Sequence, residues 1–246
     1  MDNREVWLAS TLIDLTDTVA EGFDPIDYAD RVVGYVAELL PFGEIGLLTT
    51  EGLAGPGVAA VTGEQMLRLL TTEISHGSGP NLDCFRVGER LLNQPVPLAT
   101  IRWPEFADAA RVAGFGLVSA LPVCRRGIML GALAIGHGKT LSDRDVTLTA
   151  TVADAAAVGL LQQRALHRSH RMAEQLQRAL TSRVVIEQAK GMIAAALGLS
   201  VEAAFELLRG YAREYRRRLA DVADEVIARK LPAGNLAAGN RSKTKN

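Results

Sequence analysis

The residues with the most evident chemistry are basic and aromatic, and they gather toward the C-terminus. Lys190, Arg209, Arg213, Arg216, Arg217 and Arg218 accompany Tyr211 and Tyr215 within a short stretch. Lysine and arginine hold phosphates, and tyrosine rings stack on unpaired bases, a combination that suits RNA loops. Tyr211 and Tyr215 are four residues apart and so can share one face of a helix. Two other fates stay open: Tyr211 can pack in a small helical core, and the arginine run can be a solvated surface.

Charge supports a polyanion partner for this half of the chain. The net charge is only −1, yet residues 1–160 hold 11 Lys and Arg against 20 Asp and Glu, a balance of −9. Residues 161–246 hold 16 against 8, a balance of +8. Such asymmetry points to a negatively charged partner for the basic part. An acidic protein would satisfy the same electrostatics, and docking of such a protein is the alternative to RNA.

Other chemistries find no support. Cys84 and Cys124 are the only cysteines and form neither a CxxC nor a CxxH pair, which argues against a zinc site or a disulfide framework. A free cysteine is often simply a small buried hydrophobe. The "HGKT" at His137 to Thr140 ends like a phosphate-binding loop, but Leu133 stands where that loop needs its first glycine. His167 and His170 are spaced to share a metal in principle, but an exposed helical position is the simpler account. No GxSxG and no nucleophile with a nearby base is visible, so no enzyme is expected. No run approaches the ~20 apolar residues that span a bilayer. Asp2, Glu5, Asp14 and Asp17 are unlike a signal peptide, so a cytoplasmic protein with no membrane contact is expected.

The basic cluster needs helices to hold it. Apolar share (48%) and charged share (22%) are those of an ordinary globular chain. Helical spacing over 6–20 and 28–40 gives way to a strand at 45–50, a turn at 52–57 and a strand at 58–61, then a helix at 64–74. "HGSGPNLDCFRVGE" reads as irregular because of its glycines and proline. A short helix follows at 103–113. Apolar runs at 117–123 and 128–135, split by Cys124-Arg125-Arg126-Gly127, predict a hairpin. Ser142 can cap a helix that meets no proline until well past Leu197. Val152, Leu166, Ala173 and Leu180 share a heptad register, interrupted by Gly159, which predicts pairing with a second copy. Gly191 is costly within a helix, and close approach of a neighbouring helix is its expected reason. Gly198 ends the long helix and Ser200 caps the next. Ala204, Phe205, Leu208 and Ala212, then Leu219, Val222, Ala223 and Val226, supply inward faces for two more helices.

Residues 181–230 resemble the ANTAR domain. The resemblance rests on Arg183, Ile186, Glu187, Ala189, Lys190 and Gly191, on Ala204, Phe205, Leu208, Arg209 and Ala212, and on Leu219, Val222, Ala223 and Val226. It implies a three-helix unit that binds paired RNA stem-loops as a dimer and prevents transcription termination. Where many members carry Asn in the turn before the third helix, this chain has Tyr215 or Arg216. The first part resembles a GAF domain through "GSGPNLDC" at Gly77 to Cys84, "WPEF" at Trp103 to Phe106, "SALPV" at Ser119 to Val123 and "LGALAI" at Leu130 to Ile135. That resemblance implies a pocket for a small molecule of unknown identity, with Asn81 where the family often has Cys.

The expectation is therefore an α+β chain. A GAF-like antiparallel sheet with flanking helices fills 1–141, a connecting helix or coiled coil 142–180, a three-helix ANTAR bundle 181–231, and a disordered basic tail 232–246. Candidate RNA-binding residues are Arg183, Lys190, Arg209, Tyr211, Arg213, Arg216 and Arg217. Candidate pocket residues are His76, Gly79, Pro80, Asp83 and Trp103. No metal and no resident cofactor are expected, and a homodimer through 143–180 is.

Overall fold

The computed structural model describes residues 3–18, 23–50 and 56–240; part of the turn expected at 52–57, and the last residues of the first expected helix, lie outside them. Elements run α1 (Asn3–Thr16), α2 (Pro25–Leu39), β1 (Gly43–Thr50), β2 (Pro56–Val61), α3 (Glu64–His76), α4 (Pro80–Val87), β3 (Leu91–Pro95), α5 (Val96–Ala99), α6 (Pro104–Val112), β4 (Leu117–Arg125) and β5 (Ile128–His137). Then come α7 (Asp143–Leu197), α8 (Val201–Glu214), α9 (Leu219–Ile227) and α10 (Ala233–Asn240). The chain divides into two compact units, one up to Leu166 and one from His167.

The first unit is built on a five-stranded antiparallel sheet in the order β2-β1-β5-β4-β3. Alternation along the strands sends Ile45, Leu47, Leu121, Val123, Leu133 and Ile135 to one face, where they pack with α1, α2 and the start of α7. Leu48, Val118 and Ala134 join the other core with Met66, Leu69 and Leu70 of α3 and Phe106, Ala107 and Ala110 of α6. The β4–β5 hairpin turns through Arg126 (φ 52°) and Gly127 (φ 76°), with Arg125 paired to Ile128. Two positive φ values make a two-residue turn that follows the sheet twist.

The stretch read as irregular contains a helix. Gly and Pro there mark its ends: Gly79 is its N-cap, Pro80 sits in the first turn, and Gly88 closes it at φ 78°. Pro is tolerated in the first turn because an N–H there has no acceptor within the helix, and Gly where the backbone turns left-handed.

The expected heptad register is divided between two roles. Val152 is fully buried in the first unit's core, and at Gly159 a Cβ would strike the Tyr28 hydroxyl and the Leu15 carbonyl. That hydroxyl donates to Leu15 O (2.8 Å) and Ala156 O (3.2 Å). The first part of the expected pairing segment is therefore covered by its own chain. An exposed apolar stripe begins only beyond it, with Met172, Leu176, Leu180 and Val184 each more than half exposed.

The second unit also differs from expectation. α8, α9 and the end of α7 pack through Ala189, Ile193, Ala204, Leu208, Ala212, Val222, Ala223 and Val226. A fourth helix, α10, replaces the disordered tail over 233–240, because Leu231 and Leu236 bury against this core. Gly191 has no atom within 4 Å of a would-be Cβ, so close approach within the chain does not explain it. Gly191→Ala should therefore raise stability by about 1 kcal/mol, read as a higher unfolding midpoint, since only the helical cost of glycine is removed.

Candidate nucleic-acid interface and sensor site

The basic cluster is positioned by the ends of α8. Ser200 caps its start, its hydroxyl accepting the Ala203 N–H at 3.2 Å. At its far end Arg217 N–H reaches Ala212 O (2.8 Å) and Arg216 N–H reaches Arg213 O (3.3 Å), a Schellman closure. Arg216 occupies the left-handed position of that closure at φ 51°. Asparagine tolerates this conformation better than arginine does. Arg216→Asn should raise stability by up to about 1 kcal/mol, measurable by thermal unfolding.

Two of the predicted contacts are already engaged. Lys190, a candidate RNA contact, is pinned: its side chain is only 16% exposed, its Nζ lies 2.8 Å from Glu187 Oε2 and 5.3 Å from the centre of the Phe205 ring. Arg217 makes a two-pronged pair with Glu225 at 2.9 and 2.7 Å, tying the α8–α9 turn to α9. That pairing holds the Glu225 carboxyl below the usual range. Arg209 stands 3.6 Å from Glu206 and keeps a partly exposed side chain. Arg183, Arg213, Arg216 and Arg218 are exposed.

The aromatics sit as a pair. Tyr211 is partly buried against the helical core, and Tyr215, 54% exposed, lies over it with ring centres 4.4 Å apart and planes tilted by 36°. Tyr211 thus packs inward and backs an exposed ring. Tyr215 belongs with the candidate contact residues for this reason. An exposed, supported tyrosine among Arg213, Arg216 and Arg218 can stack on a base while the guanidinium groups hold phosphates.

In the first unit the expected pocket residues divide. Asp83 and Trp103 meet: the indole N–H donates to Asp83 Oδ2 at 3.0 Å, and Arg102 pairs with the same oxygen at 2.8 Å. Trp103 is only 4% exposed, so it is core rather than a wall open to solvent. His76 is exposed and makes its contacts within α3, to Thr72 O (2.9 Å) and Ser75 Oγ (3.1 Å). Pro80 starts α4. Gly79 leaves room for Glu73, because a Cβ there would collide with its carboxyl group.

Glu73 was not foreseen as a site residue. It is fully buried, accepts the Leu82 N–H and the Asn81 side-chain N–H, each at 2.7 Å, and so closes the first turn of α4. Burial pushes its carboxyl up to about 7 despite those bonds. Asn81 Oδ1 is buried without a hydrogen-bond partner. A glutamate shortly before Gly-Ser-Gly-Pro, where a helix N-terminus follows, was the available sequence sign. Cys84, buried on the same helix, has its thiol pushed up to about 12 by burial, which leaves it an unreactive core residue.

A second buried network roots α7 to the sheet. Ser119 Oγ lies 2.9 Å from His137 Nε2 and accepts the Asn93 N–H at 2.8 Å. His137 Nδ1 is 2.8 Å from Lys139 O. Asn93 joins Leu141 through both its side-chain amide groups, at 3.2 and 2.9 Å. Ser142 and Asp145 then form a reciprocal capping box at the start of α7. Burial pulls the His137 pKa below its ordinary value. Among the described residues no group of three or more His, Cys, Asp or Glu is placed to hold a metal ion, and no single helix is long and apolar enough to cross a membrane.

Comparison with known proteins follows this division. Residues 174–227 match the ANTAR domain. No curated protein matches the sequence. Among solved structures, a domain assigned to a two-component sensor histidine kinase protein from Sinorhizobium meliloti is 12% identical, with a TM-score of 0.50, 61% of this chain and 99% of that one being covered. The GAF domain of a phosphoenolpyruvate-protein phosphotransferase from Acinetobacter is 13% identical, covering 67% and 97% at a TM-score of 0.48. A phycocyanobilin-bound GAF domain of a cyanobacterial phytochrome is 12% identical, covering 65% and 97% at 0.49. At 12% identity the Sinorhizobium meliloti domain speaks for the fold alone.

Proposed function

We propose that this chain, which carries an ANTAR domain at residues 174–227, is an RNA-binding regulator of transcription termination with a GAF-like sensor. The observation that carries the reading is Tyr215, exposed on top of Tyr211, with the exposed Arg213, Arg216 and Arg218 close to it in sequence. Stacking plus phosphate contacts is what an unpaired loop demands. Two copies pair through the exposed stripe of Met172, Leu176, Leu180 and Val184, whose spacing suits a helical seam. Each copy then grips one of two stem-loops, and a terminator hairpin that shares their sequence fails to form.

The sensor unit binds a small molecule and biases this pairing through α7, whose start is fixed to the sheet by the His137–Ser119–Asn93 network. The protein works in the cytoplasm, without catalysis. The test is binding of the full chain to a short RNA with two hairpin loops, against a one-loop RNA and heparin. Tight binding that needs both loops supports the reading. Equal competition by heparin overturns it in favour of a basic surface that docks an acidic protein, since both modes weaken alike with salt.

A further inference from the structure

The part of α7 within the second unit has two faces. On an α-helix each residue advances about 100°, so Met172, Leu176, Leu180 and Val184 form one stripe. Arg171 and Arg178 lie on the other side, while Arg168, about 40° from Met172, stands at the edge between the two; the three fall within about 80° of one another. All three are exposed. From 167 to 184 the helix carries four arginines and a single acidic residue, Glu174. Glu174 pairs with Arg178 at 3.3 Å, with both side chains more than two-thirds exposed; such an i,i+4 pair is weak and exchanges readily for a stronger anion.

The direction of this arginine face is informative. Ile186, Ala189 and Ile193, on which the bundle packs, lie at the same helical phase as the three arginines. Arg178 precedes Ala189 by about 16 Å along the axis, and Arg168 lies about 15 Å further on. The arginines thus continue, along one line of α7, the side that holds the base-stacking bundle. The apolar stripe lies away from Arg171 and Arg178 and carries Arg183 between Met172 and Leu176 in helical phase.

We infer that Arg168, Arg171 and Arg178 bind the phosphates of the double-stranded RNA stem below the loop that the bundle holds. Two of the three precede the ANTAR match, which begins at residue 174. A duplex stem offers little base-edge information to side chains and is held by shape and phosphates, which is what a row of exposed arginines without aromatics can provide. This inference rests on the RNA reading above.

The experiment compares two-loop RNAs with long and with truncated stems, titrated over salt. The proteins are the parent chain, R168Q/R171Q/R178Q, and R168K/R171K/R178K. Glutamine and lysine are about as helix-favouring as arginine, and circular dichroism and sedimentation confirm unchanged helicity and assembly. On the long-stem RNA the glutamine variant should bind at least tenfold more weakly. Its slope of log affinity against log salt should fall by about 2–3, as expected for three lost phosphate contacts. The lysine variant should restore the slope, and the truncated RNA should bind all three proteins alike. Equal losses on both RNAs, or none on the long stem, overturn the stem assignment while leaving loop binding intact. A parent that binds neither RNA better than heparin overturns the RNA reading itself.

Discussion

Tyr215→Ala should lower affinity for a loop-bearing RNA by about ten- to a hundredfold while leaving the fold in place. A base stacked on an aromatic side chain is worth about 1–3 kcal/mol. Tyr215 is the exposed member of its pair, so its removal leaves the helical core, including the half-buried Tyr211, packed. The ring is the whole of the effect: Tyr215→Phe should bind as the parent does. Fluorescence anisotropy with a labelled two-loop RNA reads the affinity, and an unchanged unfolding midpoint separates recognition from stability. Loss of affinity in the Phe variant as well would assign the effect to the hydroxyl instead.

The second large effect is a pH dependence of stability set by Glu73. Its carboxyl is raised to about 7 in the folded chain by burial, against an ordinary value near 4.5. The folded state therefore binds more protons than the unfolded one between these values. Stability contributed by the protonated group is present below about 4.5 and is lost as pH rises through about 7. The loss amounts to about 3 kcal/mol at most. Glu73→Gln should remove it, because a neutral amide can accept the Leu82 N–H and, with the Asn81 amide turned over, donate to the orphaned Asn81 Oδ1.

The two proteins should thus match near pH 5, with the variant the more stable near pH 8, by denaturant unfolding. His137 acts oppositely. Its lowered pKa means the unfolded state takes up a proton first as pH falls below about 6.5, so its share of stability is lost in acid. Both proteins carry His137, and the difference between their profiles isolates Glu73. Parallel profiles would contradict the assignment.

Much of this architecture was legible because local chemistry and tertiary structure agree. The hairpin at Arg126-Gly127, the break at Gly198 with its cap at Ser200, and the apolar faces of α8 and α9 are each stated by residue type and spacing. What was misread was punctuation and context. Gly79, Pro80 and Gly88 delimit α4 yet look like a loop when counted together. β3 ends on Pro95 and is only half-buried, so alternation along it is faint. α10 depends on one leucine, Leu236, finding a core built by residues far earlier. Val152 and Gly159 follow the heptad spacing of a pairing helix, but the first unit uses both.

The site was partly legible for the same reason. Residue types identified the basic and aromatic cluster, but the engagement of Lys190 and Arg217 by Glu187 and Glu225, and the openness of Tyr215, follow only from the fold. Glu73 was hidden because a glutamate in an amphipathic helix ordinarily faces water.

The central claim is that loop binding by this chain prevents termination. Its most direct test is transcription in vitro on a template that encodes two adjacent hairpin loops ahead of an overlapping terminator. The parent protein should raise the full-length fraction in a dose-dependent manner. Tyr215→Ala, or deletion of either loop, should abolish that rise. An unchanged full-length fraction under conditions where the protein demonstrably occupies the RNA would contradict the account.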